Sequence, residues 1–446
     1  MSNQTSSKTS LKKWVRRLVL GFGVIFGVIL AVNLYLGFFP ASIKSPAKRY
    51  TIEKVSDAEN AWLDYKLATE VFKDSDKSVW EKYDAIAELT PEQEADLDKH
   101  IKAIDYLKVG VNKPKFQFYK ELATHDTKLL SITDFIHLSK LAIAQASRLE
   151  KEGKSNEALD LELAVYHMGT QVFEPYTPMT SALLSWSCHR VVAKALFKRL
   201  NKGGGDKDLY LKIVRKIVED DSKSSTPQEI MEWEWQFSNR SLEDSLINGT
   251  AQKQFPKNLS VRVYNSFVLK HNELVEKLIK PSLETLDVKA MQEVDKKISE
   301  FIEQENKWYK NLFVDKYIAS VLFSVAIPSA KGVVNSFYLE KANAAALQTL
   351  AIIRVYEQEN GKFPENLEAA LQDASLKIPL DIATKKIVGY RLENNKPIVW
   401  LAGFDGKDDG GKTAYKNARV ATDGSDFIYS LGEIPEHLIE GKTKKQ

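Results

Sequence analysis

The sequence predicts a mainly α-helical protein with an N-terminal transmembrane helix, an all-helical body and a small C-terminal α/β module. Three observations support this: an uncharged apolar run, a long glycine-poor region with apolar residues at three- and four-residue spacing, and a final region where glycines and short β-like runs become frequent. The predicted divisions are a basic tail at 1–17, a membrane anchor at 18–39, a linker at 40–57, a helical domain at 58–335 and the α/β module at 336–446.

The composition argues against a nucleic-acid-binding protein and against several kinds of metal site. The 63 Lys and Arg residues are interspersed with 60 Asp and Glu residues and the net charge is only +3, so nucleic acid is not expected as a partner. The single cysteine, Cys188, excludes an intramolecular disulfide and a cysteine metal cluster. The seven histidines show neither HxH nor HExxH spacing. No local motif therefore predicts a histidine metal site.

The apolar run Leu18 to Phe39 carries no charge, and Asn33 is its one strongly polar residue. As a helix it would be about 33 Å long, enough to cross a hydrocarbon core of about 30 Å. The basic tail before it contains no acidic residue. Its cations are Lys8, Lys12, Lys13, Arg16 and Arg17. Segments rich in Lys and Arg beside a membrane helix stay on the cytoplasmic side of the membrane. We therefore expect a single-pass protein of the inner (plasma) membrane with a cytoplasmic N-terminus and a periplasmic or extracytoplasmic body.

A cleaved signal peptide is the competing interpretation of this run. Its apolar region would normally be about 7–15 residues long and end at a small-x-small site. The run here is longer, and the nearest such site, Ser45-Pro46-Ala47, lies well beyond its end. We therefore expect an uncleaved anchor. Within it Gly23, Gly27 and Ala31 recur every four residues, a spacing that lets two membrane helices pack closely. Self-association is one interpretation of this spacing; the other is that glycine is common in membrane helices in any case.

Prolines and glycines divide the helical body. Seven prolines of the body are candidate helix boundaries, and the triplet Gly203-Gly204-Gly205 predicts a further break. A turn at Lys151–Lys154 predicts a helical hairpin. The seven prolines are Pro91, Pro114, Pro175, Pro178, Pro227, Pro256 and Pro281. The apolar stretch at 317–330, only fourteen residues long, is short for a span and favours a buried helix over a membrane re-entry.

Two groups of residues suggest catalysis. Cys188 and His189 are adjacent, but neighbours on a helix point about 100° apart, so Cys188 is interpreted as a partly buried small hydrophobe. Glu232 and Glu234 lie in the run MEWEW, where the tryptophans could raise a carboxyl pKa as a general acid requires. The alternative is a helix face whose tryptophans pack and whose glutamates meet solvent or arginine. No second motif marks a substrate or a nucleophile.

After Asn360 short β-like runs alternate with turn residues. A long helix at about 338–359, ended by Asn360-Gly361, precedes them. The succession LAIIRVYEQENGKFPENLEAAL, IPLDIATKKIVGYRL, VWLAGFDGKDDGG and DGSDFIYSL resembles the globular domain of type II secretion major pseudopilins over about the last 110 residues. The chain departs from that family because more than 300 residues precede the module and no prepilin-peptidase site adjoins the anchor. The resemblance implies a carrier of a pseudopilin-like domain.

The same resemblance implies a calcium site, because the family's Asp-Gly-rich loop binds that ion. Calcium takes six to eight oxygen ligands, which carboxylates on glycine-rich backbone supply. The loop is not an EF-hand, since lysines occupy its third and twelfth positions, and its aspartates could instead cap turns. The motif matches and their neighbours give the candidate ligands Asp405, Asp408, Asp409, Asp423, Ser425 and Asp426.

We therefore expect an envelope protein with a non-catalytic structural or protein-interaction role, linked to secretion or pilus-like machinery. Its expected partners are the lipid bilayer, envelope proteins and a second copy of the chain. Two alternatives stay open. One is an envelope hydrolase that uses Glu232 or Glu234. The other is a calcium-responsive binding module.

Overall fold

The computed structural model describes most of the body. The described residues are 26–35, 39–49, 51–249, 256–281, 288–307, 311–326, 330–371, 376–412 and 426–432, apart from short gaps at 74, 76–77, 82, 84, 86, 123 and 125–126. This part of the chain is mainly helical and ends in a small antiparallel sheet. The predicted fold class is confirmed at this level.

The helices follow one another along the whole described body. They are α1 (26–35), α2 (Trp62–Val71), α3 (Ser78–Glu81), α4 (Pro91–His100), α5 (Lys102–Gly110), α6 (Ile132–Lys151), α7 (Ser155–Gln171), α8 (Thr180–Lys202), α9 (Lys207–Asp221), α10 (Pro227–Glu243), α11 (Lys257–Leu274), α12 (Val288–Glu305), α13 (Val314–Ala326) and α14 (Ala330–Asn360). Two π-helical turns, Asp244–Asn248 and Val275–Ile279, continue α10 and α11.

Local signals explain several helix ends. Thr90 and Thr226 each form a capping box immediately before a proline, which begins α4 and α10. The turn before α7 contains Gly153 with φ 79°, and the break after α8 begins at Gly203 with φ 66°. These features confirm the predicted boundaries at Pro91 and Pro227, the helical hairpin and the glycine break.

Helix α14 lies at the centre of the bundle. Its buried residues occur on every side, including Phe337, Leu347, Leu350 and Ile353, as expected of a helix enclosed by others. It packs against α8 and α9. The helix begins eight residues before the predicted start near 338, and the proposed boundary between 335 and 336 falls inside it. Gly361, with φ 68°, ends it as predicted.

The sheet has the strand order β1 (Gly389–Glu393), β2 (Lys396–Leu401) and β3 (Phe427–Ser430), with both pairs antiparallel. It contacts α14 directly, and the Tyr429 hydroxyl bonds to the Asn343 side-chain oxygen at 3.0 Å. Tyr429 also stacks on Phe197 of α8 at 5.1 Å between ring centroids. The C-terminal sheet is therefore packed onto the helical body.

The predicted membrane segment is described only in part. Helix α1 covers residues 26–35, whereas 18–25 and 36–38 lie outside the described residues. Among the residues that were described, no helix has the length and apolar character needed to cross a membrane. The anchor stays a prediction. The short apolar stretch at 317–330 contributes to α13, which packs one face on α11 and buries Ala319 and Phe323.

Candidate functional site: the junction of the N-terminal segment and the body

Residues 42–49 lie against helices α10 and α11. The amide N–H of Ala47 donates to the carboxylate Oε2 of Glu243 at 2.6 Å, and that of Lys44 donates to Asn265 Oδ1 at 3.0 Å. Asn265 in turn donates its amide to the Ser42 carbonyl at 2.9 Å. This part of the linker is therefore held by side chains of the body rather than left as a free tether.

Glu243 is the centre of this junction. Besides Ala47, its buried carboxylate accepts the Tyr264 hydroxyl at 3.0 Å and lies 3.5 Å from the Arg49 guanidinium, which also bonds to Asp244 at 2.7 Å. Burial, aided by Glu243, raises the pKa of Tyr264 well above its ordinary value. Glu243 ends α10 and Asp244 opens the π-helical turn, so two successive carboxylates meet the linker.

Asn33 makes a second attachment. Its Oδ1 accepts the N–H of Val314, the first residue of α13, at 2.6 Å, and its Nδ2 donates to the Ile29 carbonyl at 2.8 Å. Asparagine commonly satisfies a free N–H at a helix start. The one strongly polar residue of the apolar run thus joins α1 to the body. The sequence singled out Asn33 but gave no sign of its partner.

The predicted helix-packing face is partly described. Gly27 and Ala31 lie four residues apart on α1 and both are exposed, with open space around Gly27. Gly23 lies outside the described residues. Self-association through this face stays a prediction.

The structure brings three of the predicted calcium ligands close together. Asp426 is buried and accepts the N–H groups of Gly411 at 2.7 Å and Asp409 at 3.1 Å, and burial raises its pKa to about 6. Asp408 accepts the Gly410 N–H at 2.9 Å and the Trp400 indole N–H at 2.8 Å.

The other candidate ligands add little to this cluster. Asp405 accepts the N–H of Lys407 at 3.0 Å. Asp423 and Ser425 are outside the described residues. Within the described ranges no group of three or more His, Cys, Asp or Glu side chains is placed to hold a metal ion. The described aspartates therefore stabilise turns, and the calcium site stays a prediction.

Glu232 and Glu234 line one cavity between α10 and the end of α11. The cavity has a volume of about 20 Å³, and Trp235 and His271 also line it, so it is about large enough for one water. Burial raises the pKa of Glu234, whose Oε2 accepts the Met179 N–H at 2.7 Å. Burial lowers the pKa of His271 to about 3, which keeps its ring neutral. Both candidate glutamates therefore line the same cavity.

Cys188 is fully buried, and burial raises the pKa of its thiol to about 12, which confirms its interpretation as a small hydrophobe. His189 is also buried, and its Nδ1 lies 2.6 Å from Glu340 Oε1 while its Nε2 lies 2.9 Å from the Tyr166 carbonyl. Both ring nitrogens therefore face acceptors, which suits the doubly protonated ring. Burial alone would lower the pKa of His189, but the Glu340 carboxylate raises it above its ordinary value.

The His189–Glu340 pair therefore ties α8 to α14 inside the core, and the sequence did not predict it. The chain matches no family model, no curated protein and no solved structure in the comparisons made.

Proposed function

We propose that this protein is a single-pass, membrane-anchored envelope protein with a structural or protein-interaction role. Its N-terminus would lie in the cytoplasm and its body in the periplasm, where the pseudopilin-like module would link it to secretion or pilus-like machinery. The observation that carries the proposal is the junction. The linker is bonded to Glu243 and Asn265, and Asn33 bonds to the start of α13.

A docked linker has a mechanical consequence. Fixing the backbone of one residue costs about 1–2 kcal/mol in conformational entropy. Bonds to the body impose this cost on the linker, and a linker that served only as a flexible tether would gain nothing from them. Two separate attachments instead fix the direction in which the body leaves the N-terminal segment. A fixed orientation suits a scaffold that presents one face to partners. The exposed Gly27 and Ala31 would let a second copy pack beside the anchor.

Protease protection tests the membrane topology. The chain, with an epitope at each end, is expressed in a bacterium that is then converted to spheroplasts, so that added protease reaches the outer face of the inner membrane. We expect the protease to remove the C-terminal epitope. The N-terminal epitope should be cleaved only after lysis, and the chain should remain in the membrane pellet after alkaline carbonate washing. A C-terminal epitope that stays protected until lysis would place the body in the cytosol and overturn the proposal.

A hydrolase remains the second candidate because Glu234 has a raised pKa inside a cavity lined by Trp235. Its carboxylate, however, already accepts the Met179 N–H, and the cavity has room for about one water. We expect the purified full chain to show no turnover of cell-wall or peptide substrates. Turnover that Glu234→Gln lowers by about 10²–10⁴-fold, the range for a lost general acid, would establish the enzyme instead. Glu229→Gln, at the exposed start of α10, is the matched control.

A calcium-responsive module is the third candidate because Asp408, Asp409 and Asp426 meet on glycine-rich turns. For this candidate we expect calorimetric titration of the full chain with CaCl₂ to give binding heat that Asp409→Asn abolishes, since a hard cation needs carboxylate oxygens. Asp409 is chosen because its carboxylate accepts none of the turn hydrogen bonds given above. The exposed Glu368→Gln is the control. Absence of heat from the wild-type chain would remove calcium from the proposed function.

A further inference from the structure

Apolar side chains are exposed on the body beside the junction. Leu269 of α11 is 71% exposed, and on α13 Tyr317 is 58% and Val321 49% exposed. Tyr317 and Val321 are four residues apart and therefore share one face of α13. The opposite face of that helix buries Ala319 and Phe323. The amphipathic helix α13 is thus covered by the body on one side only within the described residues.

This exposed face adjoins the N-terminal segment. Helix α13 begins at the N–H group that Asn33 caps, and the carbonyl of the exposed Leu312 lies 3.5 Å from Asn33 Nδ2. On α11, Leu269 follows Asn265 by four residues and lies on the same side of the helix. Asn265 bonds to the linker at Ser42 and Lys44. Both exposed apolar groups therefore lie on the side of the body where the chain enters from α1.

The same side carries apolar residues of α1 and several cations. Phe26, Leu30 and Leu34 are exposed on α1, which meets the body where Asn33 bonds to Val314. Exposed apolar residues therefore occur on both sides of that contact. The exposed cations include Lys44 and Lys48 in the linker and Lys316 next to Tyr317. Contiguous exposed apolar surface marks an interaction site, and a fringe of lysines suits the phosphates of anionic lipids.

We propose that Leu269, Leu312, Tyr317 and Val321 form a bilayer-facing surface that rests among the headgroups and upper acyl chains of an anionic membrane. This inference rests on the proposed anchor and extends it, since the body would contact the lipid directly. Aromatic side chains such as Tyr317 favour that interfacial layer. The surface would work as an amphipathic helix does, with its apolar face inserted and lysines at the phosphates. The junction would therefore set the angle between the body and the membrane plane.

Site-specific fluorescence in lipid nanodiscs tests this surface. The only native cysteine is buried, so a polar maleimide dye should label an introduced cysteine selectively. Full-length Leu269→Cys and Val321→Cys chains are labelled with an environment-sensitive dye and reconstituted into discs of anionic phospholipid. Val218→Cys is the matched control. Val218 is a 46% exposed valine on α9, a helix for which no hydrogen bond to residues 26–49 is found among the described residues.

We expect lipids that carry a quencher near the headgroup to reduce the emission at positions 269 and 321 by at least twofold, and to leave position 218 nearly unchanged. Discs of zwitterionic lipid should give weaker quenching at both test positions. Equal, low quenching at all three positions overturns the inference. Blue-shifted but unquenched emission also overturns it, because a protein surface, such as a second copy, would then cover the patch. Failure of the chain to enter the discs would refute the proposed anchor as well as the bilayer-facing surface. Entry into the discs without quenching would refute the surface alone.

Discussion

Glu340→Ala is expected to lower the free energy of unfolding by about 3–5 kcal/mol, the usual loss when one partner of a buried ion pair is removed. Without the carboxylate that lies 2.6 Å away, the buried His189 ring would either keep an unpaired charge or be driven by burial to release a proton. Urea denaturation of the full chain in mild detergent, followed by tryptophan fluorescence, measures the change. A loss below about 1 kcal/mol would mean that the pair does not hold α14 to α8.

Two variants control this prediction. Glu340→Gln keeps a side-chain oxygen that can accept from His189, so we expect a smaller loss than with alanine. Glu276→Ala removes the partner of Lys280 in an exposed ion pair, and such pairs contribute at most about 1 kcal/mol. Equal losses for Glu340→Ala and Glu276→Ala would show that burial of the pair is irrelevant.

The pair also gives a pH dependence with a defined sign. Burial lowers the pKa of His189, but Glu340, the Tyr166 carbonyl and, least of the three, Asp220 together raise it above its ordinary value in the folded chain. A raised histidine pKa contributes stability that is fully present below the unfolded pKa of about 6.5 and is lost as the pH rises through the folded pKa. The stability advantage of the wild-type chain over Glu340→Gln should therefore shrink above pH 6.5. An advantage that grows with pH would contradict the charged pair.

Glu243→Ala is expected to release the linker and to accelerate tryptic cleavage after Lys44, Lys48 and Arg49 by at least tenfold. The variant leaves the Ala47 N–H without its acceptor, while the Tyr264 hydroxyl keeps only the Ser45 carbonyl. An unsatisfied buried group costs about 1–3 kcal/mol. Cleavage of a locally opened segment follows the equilibrium of opening, and about 1.4 kcal/mol corresponds to a tenfold change. Limited proteolysis with mass spectrometry measures the rate.

Asp244→Asn is the matched control for the linker experiment. Asp244 also contacts Arg49, at 2.7 Å, but it is partly exposed and does not bond to the linker backbone at Ala47. We expect a change in cleavage rate of less than about threefold, because an exposed ion pair contributes at most about 1 kcal/mol. If Glu243→Ala and Asp244→Asn behave alike, the guanidinium of Arg49, and not the buried acceptor, holds the linker.

Features encoded by neighbouring residues could be predicted from the sequence. The capping threonines with their following prolines define the starts of α4 and α10, and glycine at φ 68° ends α14. The period of apolar residues indicated helices in the body, and the β-like runs indicated the C-terminal sheet. The sequence selected Glu232 and Glu234 only as separate candidates, because residues two apart on a helix do not face each other. The structure showed that both line one cavity.

The junction and the buried pair depend on contacts between distant parts of the chain. Glu243 meets Ala47 across 196 positions, Asn33 meets Val314 across 281, and His189 meets Glu340 across 151. Neither partner in such a contact carries a local signal of the other, because the bond forms only when packing brings two helices together. The sequence by itself therefore determined which segments of the body are helical, and it predicted which run spans a membrane. Only the tertiary structure decided that Asn33 and Glu243 join that segment to the body, since burial of their hydrogen bonds follows from packing.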